Sequence, residues 1–225
     1  MLQENSPITI AYYPFRSKGQ VARLLCEYLR VPYSDYFFDP ETWANFRLQL
    51  AQRHVLVDLP FLQDGNFFVS GENGVINYIV EKSGRPDMLG KTLKDQAKIE
   101  HWRCRGDPKN ILVCSKVQWR DIPREKEEKM VIELWNKRLV PMLAEFEGHC
   151  KDNDWFFGYP TIFDFTIYEA MEVMRLCLGE QRVSQFPKFL KVQKKVRNLP
   201  EIASYEQAEY AVQSRCPLFY FKEFK

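Results

Sequence analysis

Residues 58–69 read DLPFLQDGNFFV, and this stretch decides the fold that the sequence predicts. Two short runs of apolar and aromatic residues flank Asp64-Gly65, and an Asp-Gly pair between such runs predicts a β-hairpin with a tight turn. Apolar residues at helical spacing follow over residues 72–82. The hairpin and its helix therefore predict the end of a mixed α/β unit.

The chain before the hairpin predicts a parallel β-α-β unit. Residues 8–13, ITIAYY, form a short β-rich run that ends at a proline. Residues 19–30 place apolar side chains on one helical face, and residues 33–38 are a second aromatic strand candidate. Asp39-Pro40-Glu41 then predicts the start of a short helix, because Asp can cap and Pro fits the first helical position. The resulting order β-α-β-α-β-β-α is thioredoxin-like.

The sequence changes character after residue 83. Residues 83–87, SGRPD, predict a linker, and no convincing strand pattern follows. We therefore expect an N-terminal thioredoxin-like domain over residues 1–83, a linker over 84–90 and an all-helical domain over 91–225. Helical patterns cover residues 93–119, 124–150, 161–178, 187–196 and 201–208, with a break expected at Pro108.

The composition argues against several classes of function. The chain has 225 residues and a formal net charge of +2, without the basic excess typical of nucleic-acid binders. No apolar run approaches the roughly 18 residues that span a membrane, and the N-terminus lacks the pattern of a secretion signal. The six cysteines form no Cys-x-x-Cys pair and the three histidines lie far apart. We therefore expect reduced thiols, a cytoplasmic location and no metal site.

Thr161-Ile162-Phe163-Asp164 predicts a strong helix start inside the helical domain. It resembles a capping box, in which the threonine caps the helix and the carboxylate reaches back to the cap amide. Gly158 and Pro160 keep the preceding chain out of the helix.

Three segments carry a resemblance to a known family. They are Tyr12-Tyr13-Pro14-Phe15-Arg16-Ser17 with Arg23, Asp58-Leu59-Pro60-Phe61-Leu62 with Asp64-Gly65, and Trp155-Phe156-Phe157-Gly158 with Thr161 and Asp164. In this combination and order the chain resembles the cytosolic glutathione transferases, most of all the mu and sigma types. The resemblance implies an enzyme that conjugates glutathione to hydrophobic electrophiles, with glutathione as co-substrate and no further cofactor. It also implies a detoxification role and a homodimer.

Tyr12 is the catalytic residue that the resemblance implies. The thiol of free glutathione is mostly protonated at neutral pH, and a hydrogen bond donated to the sulfur favours the reactive thiolate. Tyr12 ends the first predicted strand just before a helix N-terminus, whose potential also favours an anion. Two other hydroxyls stay open for this role. Tyr13 is expected on the opposite strand face and matches an aromatic residue that lines the glutathione site, and Ser17 lies at the loop–helix junction.

The same resemblance implies four further residues that bind glutathione. Pro60 follows a cis peptide bond in the family, so that the backbone of Leu59 pairs with the cysteinyl amide. Trp43 and Arg47 lie one helical turn apart and match a pair that contacts the glycine end, where Arg47 would hold the carboxylate. The acceptor is expected in a pocket between the domains, formed by the helix over 104–114 and by the aromatic C-terminal tail.

Gly71-Glu72 is where the sequence departs from the family. A Gln or Glu followed by Ser usually holds the γ-glutamyl carboxylate at this helix start, whereas Glu72 brings a second negative charge close to it. Gly71 removes a side-chain contact and loosens the helix start. The alternative hypothesis is therefore a non-catalytic member of the fold that binds ligands or serves as a structural dimer. A thioredoxin-like disulfide exchanger is disfavoured, because no cysteine lies at the start of the first helix.

Overall fold

The computed structural model describes residues 7–53, 57–104, 107–108, 111–112, 122–149 and 155–208. Its N-terminal part has the element order that the sequence predicts. The elements are β1 (Ile8–Tyr12), α1 (Lys18–Leu29), β2 (Tyr33–Phe37), α2 (Pro40–Leu50), β3 (Phe61–Asp64), β4 (Phe67–Ser70) and α3 (Glu72–Lys82).

The four strands form one mixed sheet in the order β2-β1-β3-β4. The central strand β1 pairs in parallel with β2 and antiparallel with β3, and β3 continues through the predicted hairpin into β4. Ile10 and Leu62 lie opposite each other and belong to the core that α1 and α3 share. Phe61 instead belongs to a second cluster with Trp43 of α2. Because side chains alternate along a strand, the sheet is covered on both faces.

Asp39 fixes the start of α2 in the way that the sequence predicts. Its Oδ1 atom accepts hydrogen bonds from the amides of Glu41 and Thr42 at 2.9 and 2.8 Å. The Thr42 hydroxyl accepts one from the Asp39 amide at 3.2 Å, and Pro40 occupies the first turn. This capping box aims α2 so that its one buried residue, Trp43, reaches the sheet.

The rest of the described chain is helical, with a 3₁₀ turn over Pro86–Leu89 inside the predicted linker. None of the described helices combines the length and apolar character needed to cross a membrane. The helices are α4 (Leu93–Cys104), α5 (Arg124–Leu134), α6 (Val140–His149), α7 (Ile162–Leu178), α8 (Glu180–Val183), α9 (Pro187–Arg197) and α10 (Pro200–Gln207).

One of the predicted helices differs in detail from the sequence pattern, and another is interrupted where the sequence predicts a break. The helix predicted over 124–150 contains a π-helical turn, Trp135–Leu139, which joins α5 to α6. The helix predicted over 93–119 is broken before Pro108, because Asp107 is non-helical, and this confirms the expected break. Its end beyond residue 112 and the aromatic C-terminal tail lie outside the described residues.

A buried carboxyl group holds the start of α7. The amide and the hydroxyl of Thr161 both donate to Asp164 Oδ2 at 2.8 Å, and the Phe156 amide donates to Asp164 Oδ1 at 2.9 Å. Burial raises the pKa of Asp164 to about 6, although these hydrogen bonds act in the opposite direction. The predicted helix start is therefore confirmed, and its carboxylate reaches back to the cap amide.

A buried ion pair joins the sheet-containing part to the helical part. Arg16, just before α1, donates to Glu169 Oε2 from Nε at 3.0 Å and from Nη2 at 2.7 Å. The third guanidinium nitrogen donates to Glu206 of α10 at 3.1 Å. Helix α7, which carries Glu169, packs directly on α1. The loop between β1 and α1 is thereby fixed by residues from the other end of the chain.

Candidate functional site

Tyr12 ends β1, and its side chain packs on the start of α1. A Cβ atom at Gly19 would lie 2.6 Å from ring atoms of Tyr12, so only glycine leaves room for the ring. Burial raises the pKa of Tyr12 well above its usual value, and the charge of Glu72 adds to the rise. Ser17 and Arg23 oppose it, although the Ser17 Oγ makes no hydrogen bond of good geometry. The phenol therefore stays protonated at neutral pH.

The loop before α1 adopts an uncommon backbone conformation. Ser17 has a φ of 121°, in the region that favours glycine, and the family resemblance places a glycine at this position. The Ser17 amide donates to Glu169 Oε1 at 2.7 Å, and the same carboxylate pairs with Arg16. A carboxylate of the helical part therefore holds the N-terminus of α1 in place next to Tyr12.

Tyr13, the other tyrosine of this segment, is half-buried beside the first. Its ring stacks on that of Phe15, with centroids 5.4 Å apart and an angle of 17° between the planes. The rings of Tyr12 and Tyr13 lie 5.6 Å apart at 59°. The structure thus puts Tyr12 against Gly19 and Tyr13 against Phe15.

Trp43 and Leu59 lie in one buried cluster with Tyr12. The peptide bond between Leu59 and Pro60 is cis, which confirms the expected geometry. Arg47 donates from Nε, at 3.1 Å, to the carbonyl two residues before Leu59 and so braces this loop. Four of the predicted site residues are therefore close together, and the Arg47 side chain contacts the same loop.

The start of α3 is open and lies next to the cis proline. Gly71 precedes the helix with a φ of 85° and has no side chain to cap the first turn, and a Cβ atom at Gly71 would meet nothing within 4 Å. The Gly71 amide donates to the Pro60 carbonyl at 2.8 Å. The charge of Glu72 acts on Tyr12. The two predicted groups of site residues are therefore neighbours.

A cavity of about 680 Å³ opens from the start of α3. Residues 70–74 form one side of it and α4, α6 and α7 form the other, so it lies where the sequence predicts an acceptor pocket. Its apolar wall contains Trp102, Phe146 and Phe163, whereas its charged lining residues are Lys18, Glu72, Arg103, Asp107 and Arg138. A concave space of this size with apolar walls and a few charged groups suits a small organic molecule.

Sequence reasoning missed two charged residues of this region, because each has partners that are distant in the sequence. Glu169 reaches the Ser17 amide across 152 residues, and Arg103 sits in a charge-rich helix although its side chain is only 5 % exposed. The presence of Glu169 within the apolar pattern of α7 is the one available signal, because a charge in such a pattern is usually paired. For Arg103 no signal exists in the sequence.

Comparison with known proteins finds similarity to glutathione S-transferases. Residues 114–209 match the family model described as "Glutathione S-transferase, C-terminal domain". The chain is also 26% identical over 214 residues to a class-mu 26 kDa glutathione S-transferase isozyme of Fasciola hepatica, with 90% of this chain and 89% of the relative covered. Residues 114–209 thus match the C-terminal domain of glutathione S-transferases, and most of the chain is similar to them.

Two further matches agree with this placement. Hematopoietic prostaglandin D synthase of Mus musculus is 21% identical over 200 residues, which cover 87% of this chain and 93% of the relative. The solved prostaglandin synthase D of Nilaparvata lugens superposes with a TM-score of 0.74 at 19% identity, covering 91% of this chain and 98% of that one. At that identity the likeness shows the fold. The chain therefore has a thioredoxin-like part followed by an all-helical part, as the sequence predicts.

Proposed function

We propose that this protein conjugates the thiolate of glutathione to hydrophobic electrophiles, with the Tyr12 hydroxyl as the hydrogen-bond donor to the thiolate. The position of Tyr12 carries this proposal, since its ring rests on Gly19 at the start of α1 and burial keeps its phenol protonated. A protonated phenol beside a helix N-terminus is a combination that lowers the pKa of a neighbouring thiol.

In the proposed reaction the thiol of glutathione releases its proton to solvent, and the sulfur keeps the electron pair. Tyr12 donates a hydrogen bond to this thiolate and does not take the proton of the thiol. A phenol with a raised pKa keeps its own proton at neutral pH, and a protonated phenol cannot act as the base. The sulfur then forms a bond to an electrophilic carbon. With an aryl halide, the halide leaves with the electrons of the carbon–halogen bond.

The cysteinyl and glycyl parts of glutathione would lie along the loop that ends at the cis proline. We assign the backbone of Leu59, before Pro60, to the cysteinyl amide, and Trp43 and Arg47 to the glycine end. The clustering of Trp43 and Leu59 with Tyr12 supports this assignment. The hydrogen bond from Arg47 to the loop also supports it, because that contact holds the guanidinium next to Leu59.

The γ-glutamyl part would lie at the open start of α3. We assign it to Gly71 and Glu72, and Tyr13 to the wall of the site. The glycine at the N-cap of α3 supports this, since it leaves space at the start of the helix, and amides at a helix N-terminus bind carboxylates. The hydrogen bond between the Gly71 amide and the Pro60 carbonyl connects this end to the cysteinyl end.

The wider context is also proposed from family membership. We assign the domains to residues 1–83 and 91–225, with the linker over 84–90, which contains the 3₁₀ turn. The protein would act as a cytoplasmic homodimer in detoxification, with glutathione as co-substrate and with neither a further cofactor nor a metal. The cavity between the two parts would take the hydrophobic electrophile.

A second candidate function is a non-catalytic member of the family that binds a ligand or acts as a structural dimer. The charge of Glu72 favours it, because a negative charge that raises the pKa of Tyr12 would also raise the pKa of a nearby thiol. The low exposure of Tyr12, 5%, favours it as well, since the sulfur must reach the hydroxyl.

Retention on immobilised glutathione, followed by a conjugation assay with 1-chloro-2,4-dinitrobenzene, separates the two candidates. We expect Tyr12→Phe to lower the rate at pH 6.5 by about a hundredfold, as loss of one donor to a developing anion does elsewhere. The loss should shrink at pH 9, where the thiol ionises without help. Gly19→Ala should also slow the reaction, because its methyl group would displace the Tyr12 ring.

The matched control is Tyr36→Phe, which removes the hydroxyl of an exposed tyrosine on β2 and should leave the rate unchanged. A Tyr12→Phe protein with the full wild-type rate would show that the mechanism is wrong while the family placement stands. A wild-type protein that neither binds glutathione nor turns over would support the non-catalytic candidate.

A further inference from the structure

Arg103 of α4 is a buried cation for which the reaction above has no use. Its side chain is 5% exposed. Its Nε donates to Asn73 Oδ1 at 3.1 Å, and its Nη1 donates to Asn77 Oδ1 at 3.0 Å and to Glu100 Oε1 at 2.5 Å. The remaining nitrogen, Nη2, is buried and makes no hydrogen bond to the part of the chain that the structure describes. A buried donor of a charged group without an acceptor is rare, because leaving it unpaired costs free energy.

This guanidinium lies beside the open start of α3. Asn73 is the second residue of that helix, so the 3.1 Å contact brings Arg103 to the first turn, where the N-cap residue Gly71 has no side chain to act as a cap. Arg103 lines the same cavity as Gly71 and Glu72. Around the cavity three cations face two carboxylates, the cations being Lys18, Arg103 and Arg138. Both the excess of positive charge and the N-terminus of α3 therefore favour an anion at this point.

We propose that Arg103 binds a carboxylate at the start of α3, and that this group is the α-carboxylate of the γ-glutamyl residue of glutathione. This assignment rests on the proposed function. Nη2 of Arg103 donates one charge-assisted hydrogen bond, and the first-turn amides of α3 donate the others. A guanidinium from the helical part thereby does what the serine hydroxyl does in relatives that have serine at the position of Glu72.

The departure at Glu72 then has a consistent explanation. With the carboxylate held by Arg103, the Glu72 side chain is on the side of the ligand's α-amino group and accepts a hydrogen bond from it. The contacts of Arg103 with Asn73 and Asn77 hold the guanidinium plane still, so that little side-chain entropy is lost when the ligand binds. These contacts occupy Nε and Nη1 and leave Nη2 for the carboxylate.

Two analogues of glutathione test the assignment by calorimetric titration under reducing conditions. 4-Aminobutyryl-Cys-Gly lacks the α-carboxylate, and glutaryl-Cys-Gly lacks the α-amino group. Arg103→Gln should lower the affinity for glutathione and for glutaryl-Cys-Gly by about tenfold to a hundredfold, as expected for the loss of one charge-assisted hydrogen bond. It should leave the affinity for 4-aminobutyryl-Cys-Gly within about twofold of wild type. Arg103→Lys keeps the charge, and its affinity for glutathione should lie between those of Arg103→Gln and wild type.

The ratio of affinities within one protein preparation is the decisive quantity, because it does not depend on the folded fraction. Arg85→Gln removes an exposed arginine whose partner is Asp87 and should leave all three affinities unchanged. If the affinity of Arg103→Gln falls by the same factor for all three ligands, Arg103 only holds the helices together, and the assignment is wrong. If wild type binds glutathione and 4-aminobutyryl-Cys-Gly equally well, the assignment of the carboxylate to Arg103 is wrong, but the proposed function stands. If wild type binds no glutathione, the proposed function fails with it.

Discussion

The starts of α1 and α3 lie at the same junction between the two parts of the chain, but they are completed in different ways. At α1 the Ser17 amide donates to the buried carboxylate of Glu169, which α7 supplies. At α3 the N-cap residue is Gly71, which has no side chain to cap the first turn and which lines the cavity. Free amides at a helix N-terminus need an acceptor in either case. We infer that the first is completed by the protein and the second by a ligand.

The closed start of α1 gives the largest expected effect. Glu169→Gln leaves the buried guanidinium of Arg16 without its main partner, since Glu169 accepts from both Nε and Nη2. Removal of one partner from a buried ion pair costs about 3–5 kcal/mol. We expect the free energy of unfolding in urea to fall by that amount, and glutathione binding to weaken because the loop before α1 is released.

Glu133→Gln is the control for this prediction. Glu133 pairs with Lys137 on the surface of the helical part, and its loss should leave the urea midpoint unchanged, because exposed pairs contribute little. Equal effects of the two substitutions would contradict the distinction between a structural and an exposed carboxylate.

The closed start of α7 gives the second effect, which depends on pH. The pKa of Asp164 is about 6 in the folded protein against 3.8 in a free chain, so the folded state keeps its proton over a range where the unfolded state loses it. Stability from this group is therefore present below pH 4 and is lost as the pH rises to 6. We expect a loss of about 3 kcal/mol at most, at about 1.4 kcal/mol per pKa unit.

Urea unfolding of wild type and Asp164→Asn at pH 4, 5, 6 and 7 measures this effect. The asparagine cannot ionise, so the free-energy difference between the two proteins should change across pH 4–6 and stay constant above. The other carboxylates titrate in both proteins and cancel in the difference. A difference that is constant from pH 4 to 7 would show that Asp164 ionises normally.

Local features of this fold were predictable from sequence, whereas the junction was not. The hairpin at Asp64-Gly65, the start of α2 at Asp39 and the start of α7 at Thr161 depend on residues within a few positions of one another. Turn and cap chemistry acts over that range. The π-helical turn Trp135–Leu139 escaped prediction because a single inserted residue barely disturbs the apolar periodicity.

The candidate site shows the same division. The cis bond before Pro60 and the placement of Tyr12 next to α1 follow from motifs that the family shares. The pairing of Arg16 with Glu169 spans 153 residues, and the cavity next to Arg103 is lined by helices from both parts of the chain. Periodicity indicates which face of a helix is buried, but it does not indicate which residue lies opposite.

The open start of α3 gives the smallest expected effect. Glu72→Gln removes a negative charge that acts on Tyr12, so at saturating glutathione the bound thiol should ionise more readily and the conjugation rate at pH 6.5 should rise about twofold to fivefold. The same change removes a favourable charge from the first turn of α3 and should lower the free energy of unfolding by about 0.3–1 kcal/mol.

The pH–rate profile and urea unfolding of one preparation check both parts of this prediction. Glu81→Gln makes the same charge change at the far end of α3 and should leave the pH–rate profile where it is. A Glu72→Gln protein with the wild-type profile would show that this charge does not reach the sulfur.

The link between Arg16 and Glu169 has a consequence for how such proteins can be recombined. Glu169, which holds the start of α1, lies 152 residues after Ser17, so the N-terminal part of the chain does not contain all the residues that fix its own first helix. A chimera with the helical part of a homologue would still contain Tyr12. The tyrosine would keep its position only if the new helical part supplied a carboxylate at the position of Glu169. Exchange of lobes is thereby limited to donors that share this one acid, however similar their surfaces are.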